Sequence, residues 1–160
     1  MHTKLSAAAA LVVAVAVVTG VATAGHAAKQ RIAIVSPGGN TGVFVLTPLT
    51  SGPIVRDSGT ATACCWTRRF IQRDGQSIEI NDPLRTFVGK RGTFTWRAQI
   101  EWVDLEKGYA IGTGPWKIVR GTGAYAHLEG HGRIAIITGA NERNLADRAE
   151  GLVNLGGERR

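Results

Sequence analysis

Residues 93–103 read Thr-Phe-Thr-Trp-Arg-Ala-Gln-Ile-Glu-Trp-Val. Phe94, Trp96, Ala98, Ile100 and Trp102 share one parity, while Thr93, Thr95, Arg97, Gln99 and Glu101 share the other. Successive side chains of a β-strand point to opposite faces, so the alternation predicts one long strand with an apolar and a wet face. Downstream, Leu105-Glu106-Lys107-Gly108 reads as a hairpin turn that returns the chain into Tyr109-Ala110-Ile111. Residues 112–115 then read as a bulge or bend before a further strand at 116–119. Upstream, Asp74-Gly75 is a hairpin signal joining residues 66–73 to 76–80. Residues 132–138 and 150–155 supply more strands, and the helical candidates are a turn near 124–128 and a piece around 142–148.

Six to eight such strands with almost no helix must hide their edges, and a small domain does so as a sandwich or a closed barrel. Gly112, Gly114, Gly121, Gly123, Gly130 and Gly132 cluster at the ends of consecutive strands, where tight curvature favours residues without a side chain. The expected fold is therefore all-β, a small antiparallel barrel of about eight strands, with a β-sandwich as the alternative.

The chain has 160 residues, 44% hydrophobic and 19% charged, which suits one folded domain and argues against a disordered or multidomain chain. Part of that hydrophobicity lies at the start. Lys4 precedes a run of Ala, Val and Leu over residues 5–21, followed by small residues at 22–24 and 27. This is the layout of a secretory signal peptide over residues 1–27 and predicts a secreted, extracytoplasmic protein. Cleavage there removes one of the 19 basic residues, Lys4, and none of the 12 acidic ones, so the net charge falls from +7 to +6. Residues 28–155 are then a single barrel domain, and 156–160 a flexible tail.

The segment Gly92-Thr93-Phe94, with Gly114-Pro115-Trp116-Lys117-Ile118-Val119-Arg120-Gly121-Thr122-Gly123-Ala124-Tyr125 and Leu128-Glu129-Gly130-His131-Gly132 downstream, resembles the bacterial secreted relatives of the allene oxide cyclase and dirigent barrels. The resemblance covers roughly residues 85–155 and implies an eight-stranded antiparallel barrel with an apolar interior. In the plant members that interior guides ring closure or coupling of a polyene or phenoxy-radical substrate, and related bacterial barrels close polyketide rings. No residue here matches their catalytic acids, so what carries over is the barrel and not the reaction.

Other chemistries find little support. His127, Glu129 and His131 alternate and would share one face of an extended segment, which makes them the candidate metal ligands, against a solvated strand face. Ser36, Ser51, Ser58 and Ser77 read as loop or turn residues, and no Gly-x-Ser-x-Gly elbow is present. Glu79, Asp82, Glu101 and Asp104 are the carboxylates that paired acid-base chemistry would draw on, with a surface role as the plainer reading. In an oxidising compartment Cys64 and Cys65 offer a vicinal disulfide, one buried and one exposed thiol that links two chains, or two inert thiols. The arginines are scattered, with no recognition helix or zinc spacing, so no specific nucleic acid is expected and only a general attraction to anionic envelope surfaces follows.

The sequence thus points to binding of an apolar or aromatic small molecule inside a barrel, without a cofactor. Phe94, Trp96, Ile100, Trp102 and Trp116 are expected near that interior, with Tyr109 or Tyr125 supplying a polar tip. The alternatives are a cofactor-free cyclase or isomerase acting on a hydrophobic polyene-type substrate, and a structural or protein-binding envelope component with a filled core. A homo-oligomer is consistent with the family resemblance. Catalytic residues are not nominated.

Overall fold

The alternation at 93–103 folds as extended chain with one interruption. In the computed structural model, which describes residues 29–37, 39–139 and 144–156, it forms β7 (Thr93–Ala98) and β8 (Ile100–Asp104), parted at Gln99. Phe94, Trp96, Ala98 and Ile100 are buried and Trp102 half-buried, whereas Arg97 and Gln99 are exposed. The other strands are β1 (Gln30–Val35), β2 (Thr41–Pro48), β3 (Asp57–Cys64), β4 (Arg68–Arg73), β5 (Gln76–Asn81), β6 (Leu84–Gly89), β9 (Ala110–Gly121), β10 (Leu128–Thr138) and β11 (Asn144–Leu155).

Eight of these strands pair in the order β10-β11-β1-β2-β3-β6-β7-β9, and β9 pairs back onto β10. The result is a closed antiparallel barrel rather than a sandwich, and closure removes the edges of those eight strands. The remaining three extend the wall: β8 pairs with β9, β5 with β8, and β4 with β5. Asp74 and Gly75 both take positive φ (51° and 78°) in the β4–β5 hairpin, as a two-residue turn matched to strand twist requires.

Strand β9 joins the two parts. Its first residues, 110–113, pair with β8, and 116–121 pair with β7. The break expected at 112–115 falls instead on the neighbouring strand. A Cβ at Gly114 would lie 1.7 Å from the Gln99 carbonyl oxygen, so the glycine lets the Gln99 backbone press against an uninterrupted β9. There the Gln99 N–H donates to the Pro115 carbonyl at 3.0 Å. The bulge lies further along, where Thr95 faces Arg120 and Trp96 faces Ile118. Proline has no N–H for a ladder, and Pro83 sits where β5 ends and β6 begins.

The expected helical piece at 142–148 is corrected: residues 144–148 belong to β11 and pair with β10, while 142 and 143 lie outside the described residues. Ser58 and Ser77, expected in loops, lie on β3 and β5. The turn expected near 124–128 is a 3-10 turn over Gly123–Tyr125. The expected signal peptide and residues 157–160 lie outside the described residues.

Aromatic rings fill one half of the barrel. Tyr125 meets Phe94 at 5.1 Å between centroids, Phe94 stacks on Phe87 at 4.7 Å, Phe87 meets Trp96 edge-on at 4.6 Å, and Trp96 stacks on Trp116 at 5.0 Å. The Trp116 ring lies against a cross-strand glycine pair, Gly132 opposite Gly151. A Cβ on either would come within 2.7 Å of that ring. Here the glycines make room for a side chain as much as for curvature.

Two polar plugs close this end. The Gln30 side-chain amide donates to the Thr50 and Ile54 carbonyls and accepts from the Ile54 N–H at 2.8 Å. The Tyr125 hydroxyl donates to Asp57 at 2.8 Å, and the same carboxylate accepts from the N–H groups of Ser58, Lys90 and Arg91. Burial pushes the Asp57 carboxyl upward, but these hydrogen bonds outweigh it and hold the group below its usual range. Burial, and next the adjoining carboxylate, drive the Tyr125 phenol well above its ordinary value.

Candidate functional site

The opposite end of the barrel is built differently. There β1 and β11 carry Ser36 just past one strand end and Asp147 near the other, and β6 begins with Leu84 and Arg85. Arg85 and Asp147 lie on the same parity as core residues of their strands, Phe87 and Ala149, so both point inward. They form a buried ion pair at 2.6 Å, with side-chain exposures of 6% and 2%. Arg85 also donates to the Ser36 hydroxyl at 2.6 Å and the Gly39 carbonyl at 3.2 Å, while the Ser36 N–H donates to Asp147 at 2.8 Å. Burial raises the Asp147 carboxyl above its ordinary value, more than the Arg85 guanidinium lowers it.

Beside this pair the wall opens into a cavity of about 460 Å³. Its apolar surface comes from Trp66, Pro83, Trp96, Ala98, Ile100, Trp102, Leu105, Ile134 and Ile136. Its polar surface comes from Asn40, Arg68, Glu79, Asn81, Arg85, Asp104, Tyr109 and Thr138. The floor is Trp96, one ring of the aromatic stack, and the extension of β4, β5 and β8 raises one wall above the barrel proper. No protein-family model, curated protein or solved structure matches the chain.

The structure divides the expected ligand residues. Trp96, Ile100, Trp102 and Tyr109 line the cavity. Phe94, Trp116 and Tyr125 lie in the packed half: Phe94 is 0% exposed, Trp116 donates its indole N–H to the Arg133 carbonyl, and Tyr125 caps the closed end. His127 lies in the turn before β10, and Glu129 and His131 are exposed on β10. Among the described residues no three His, Cys, Asp or Glu side chains are gathered to hold a metal. Cys64 and Cys65 are free thiols, both exposed, at the bend between β3 and β4, where Cys65 takes φ 59°. Of the four candidate carboxylates, Glu79 pairs with Arg68 at 2.9 Å, Asp82 with Arg69, and Glu101 with Arg73 at 2.8 Å. Glu79 and Asp104 face the cavity.

Three buried side-chain atoms among the described residues have no hydrogen-bond partner: Asn81 Oδ1, Arg85 Nε and Trp102 Nε1. All three belong to residues that line the cavity. Leaving such an atom unpaired costs about 1–3 kcal/mol, and native interiors rarely do so. Stability is given up at the cavity wall in a barrel whose closed end satisfies its polar groups.

Sequence reasoning missed Asn81, Arg85, Asp147, Ile134 and Ile136 as site residues. For Arg85 and Asp147 a signal was present, a charge at an apolar-parity position.

Proposed function

We propose that this protein is a secreted barrel that binds an apolar or aromatic small molecule in the cavity at its open end. The observation that carries the reading is the cavity itself: about 460 Å³, with Trp66, Trp96, Trp102 and aliphatic side chains set among polar ones in its wall, of a size that suits one small ligand. The signal-peptide pattern supports export. Closure by eight antiparallel strands is the architecture that the resemblance to allene oxide cyclase and dirigent-type barrels implies, and it supports kinship with them. Arg97, Lys117 and His131 sit side by side across β7, β9 and β10, all exposed, which supports a general attraction to anionic envelope surfaces.

A second reading, a cofactor-free cyclase or isomerase, rests on the ionisable groups Glu79, Asp104 and Tyr109 in the cavity wall. A ligand recovered chemically changed after incubation favours that reading, and one recovered unchanged favours binding alone.

The test is titration with the neutral fluorophore N-phenyl-1-naphthylamine, alongside native mass spectrometry of protein from the secreting cell's medium before and after organic extraction. Saturable binding of one probe per chain is expected. Ile136→Trp, which fills the cavity, is expected to abolish it while leaving cooperative thermal unfolding in place. Absence of saturable binding, or binding indifferent to Ile136→Trp in a folded protein, would refute the proposal.

A further inference from the structure

We infer that Cys64 and Cys65 are a reversible modification site, where a small-molecule disulfide oxidises the two thiols to a ring across their peptide bond and so slows ligand passage at the cavity mouth. The inference rests on the secreted, ligand-binding barrel proposed above and adds a control to it. Strand β3 ends at Cys64, and Cys65 turns the chain out of it with φ 59°, a left-handed conformation that residues with a side chain seldom adopt. In a continued strand the two side chains would point to opposite faces. At this bend the thiols meet instead: a hydrogen bond to the Cys65 side chain, above all, raises the proton affinity of Cys64.

Both thiols are free and exposed, whereas a cysteine that serves only as a small apolar residue is ordinarily buried. An exposed pair in contact is open to a disulfide from solution, and an oxidising compartment favours that exchange. The reaction balances in two steps. The Cys65 thiolate attacks one sulfur of the small disulfide, breaking its S–S bond, forming a mixed disulfide and expelling one thiolate. Cys64, whose proton is held by the contact with Cys65, loses it to solvent, attacks the Cys65 sulfur and expels the second thiolate. Two protein thiols are oxidised to one disulfide, the reagent is reduced to two thiols, and the protons lost by the protein pass to them through water. The Cα atoms of successive residues are about 3.8 Å apart, short of the usual disulfide separation, so the ring is strained and a thiol reopens it.

The position of the pair joins this chemistry to the cavity. Ala63 and Trp66, on either side of it, both line the cavity, and Trp66 is 43% exposed, which puts it at the mouth. A ligand passes that indole on entry and on exit. A ring at 64–65 removes backbone freedom immediately before Trp66, so the indole yields less readily. Exchange then slows in both directions, while the affinity, set by the cavity within, changes little.

The test treats the full chain, reduced and freed of reductant, with glutathione disulfide. Intact-mass spectrometry reads the product, and stopped-flow dilution reads the release of N-phenyl-1-naphthylamine. Wild type is expected to lose two hydrogens without linking to a second chain and to regain them in dithiothreitol. The oxidised form is expected to release the probe at least about threefold more slowly, at a similar Kd. Each single variant, Cys64→Ser or Cys65→Ser, is expected to stop at a mixed disulfide with glutathione. The double variant is expected to release the probe at one rate before and after treatment. Wild type that keeps bound glutathione, links chain to chain, does not react, or closes the ring with probe release unchanged overturns the inference and leaves the cavity reading standing. If the probe fails to bind reduced wild type, the cavity reading falls and the control of passage falls with it, while the mass still shows whether the ring forms.

Discussion

Replacing Asp147 with leucine is expected to destabilise the barrel by about 3–5 kcal/mol, because it strands a guanidinium that has little access to water. Arg85 and Asp147 are 5% and 3% exposed, and the nearest polar groups left to Arg85 would be the Ser36 hydroxyl and the carbonyls of Ser36 and Gly39. The substitution also removes the acceptor for the Ser36 N–H, a second buried loss. For a domain of this size each kcal/mol moves the melting temperature by roughly 3–6 °C, so Asp147→Leu should lower it by about 10–25 °C. Arg85→Met should cost a similar amount by leaving the carboxylate alone, although that group's raised proton affinity lets it neutralise and softens the effect. The double variant should be far less damaged than the sum of the singles, since removing both charges removes the need to bury either. Urea unfolding followed by tryptophan fluorescence reads all four proteins. A coupling energy near zero, or Asp147→Leu within about 1 kcal/mol of wild type, would refute the view that this pair is buried and mutually dependent.

Two further outcomes follow from the packed half of the barrel. Gly151→Ala places a methyl 2.5 Å from the Trp116 ring and 2.3 Å from the His131 carbonyl, so a loss of about 1–3 kcal/mol in urea unfolding is expected, and unchanged stability would contradict the packing described. Asp57, held below its usual range, is expected to make stability fall as pH drops below about 4, because the unfolded chain then takes up the proton first. Asp57→Asn should flatten that acid limb between pH 5 and 2. Asp147 works in the opposite sense, since a raised carboxyl takes up its proton first in the folded chain, so an acid limb that survives Asp57→Asn unaltered would show that other carboxylates produce it.

Much of the barrel was legible because its inward residues alternate cleanly. Phe94, Trp96, Ala98 and Ile100 all carry the burial that their parity requires, and Asp74-Gly75 is a turn that few other dipeptides make so readily. Arg85 and Asp147 were harder. Each sits where an apolar residue is expected, but they are 62 positions apart, and only closure of the sheet brings them together. Asn81 could not be placed at all from the pattern. In β5 the apolar residues are Ile78 and Ile80, which ordinary alternation would turn toward the core, yet Glu79 and Asn81 line the cavity. The extension thus turns Glu79 and Asn81 to the cavity, while its other face carries Ile71 opposite Ile78 and the buried Ile80. The division of the aromatics between packing and cavity is likewise set by where each falls along the barrel axis, which parity does not encode.

The two plugs at the closed end have a kinetic consequence. With Gln30 tied to the 50–54 loop and Tyr125 to Asp57, a molecule taken up as proposed above would have to leave by the mouth through which it came. Exchange of one occupant for another then proceeds by departure followed by arrival. Its rate should be independent of the incoming compound's concentration once the mouth is saturated, as for a bottle rather than a pipe.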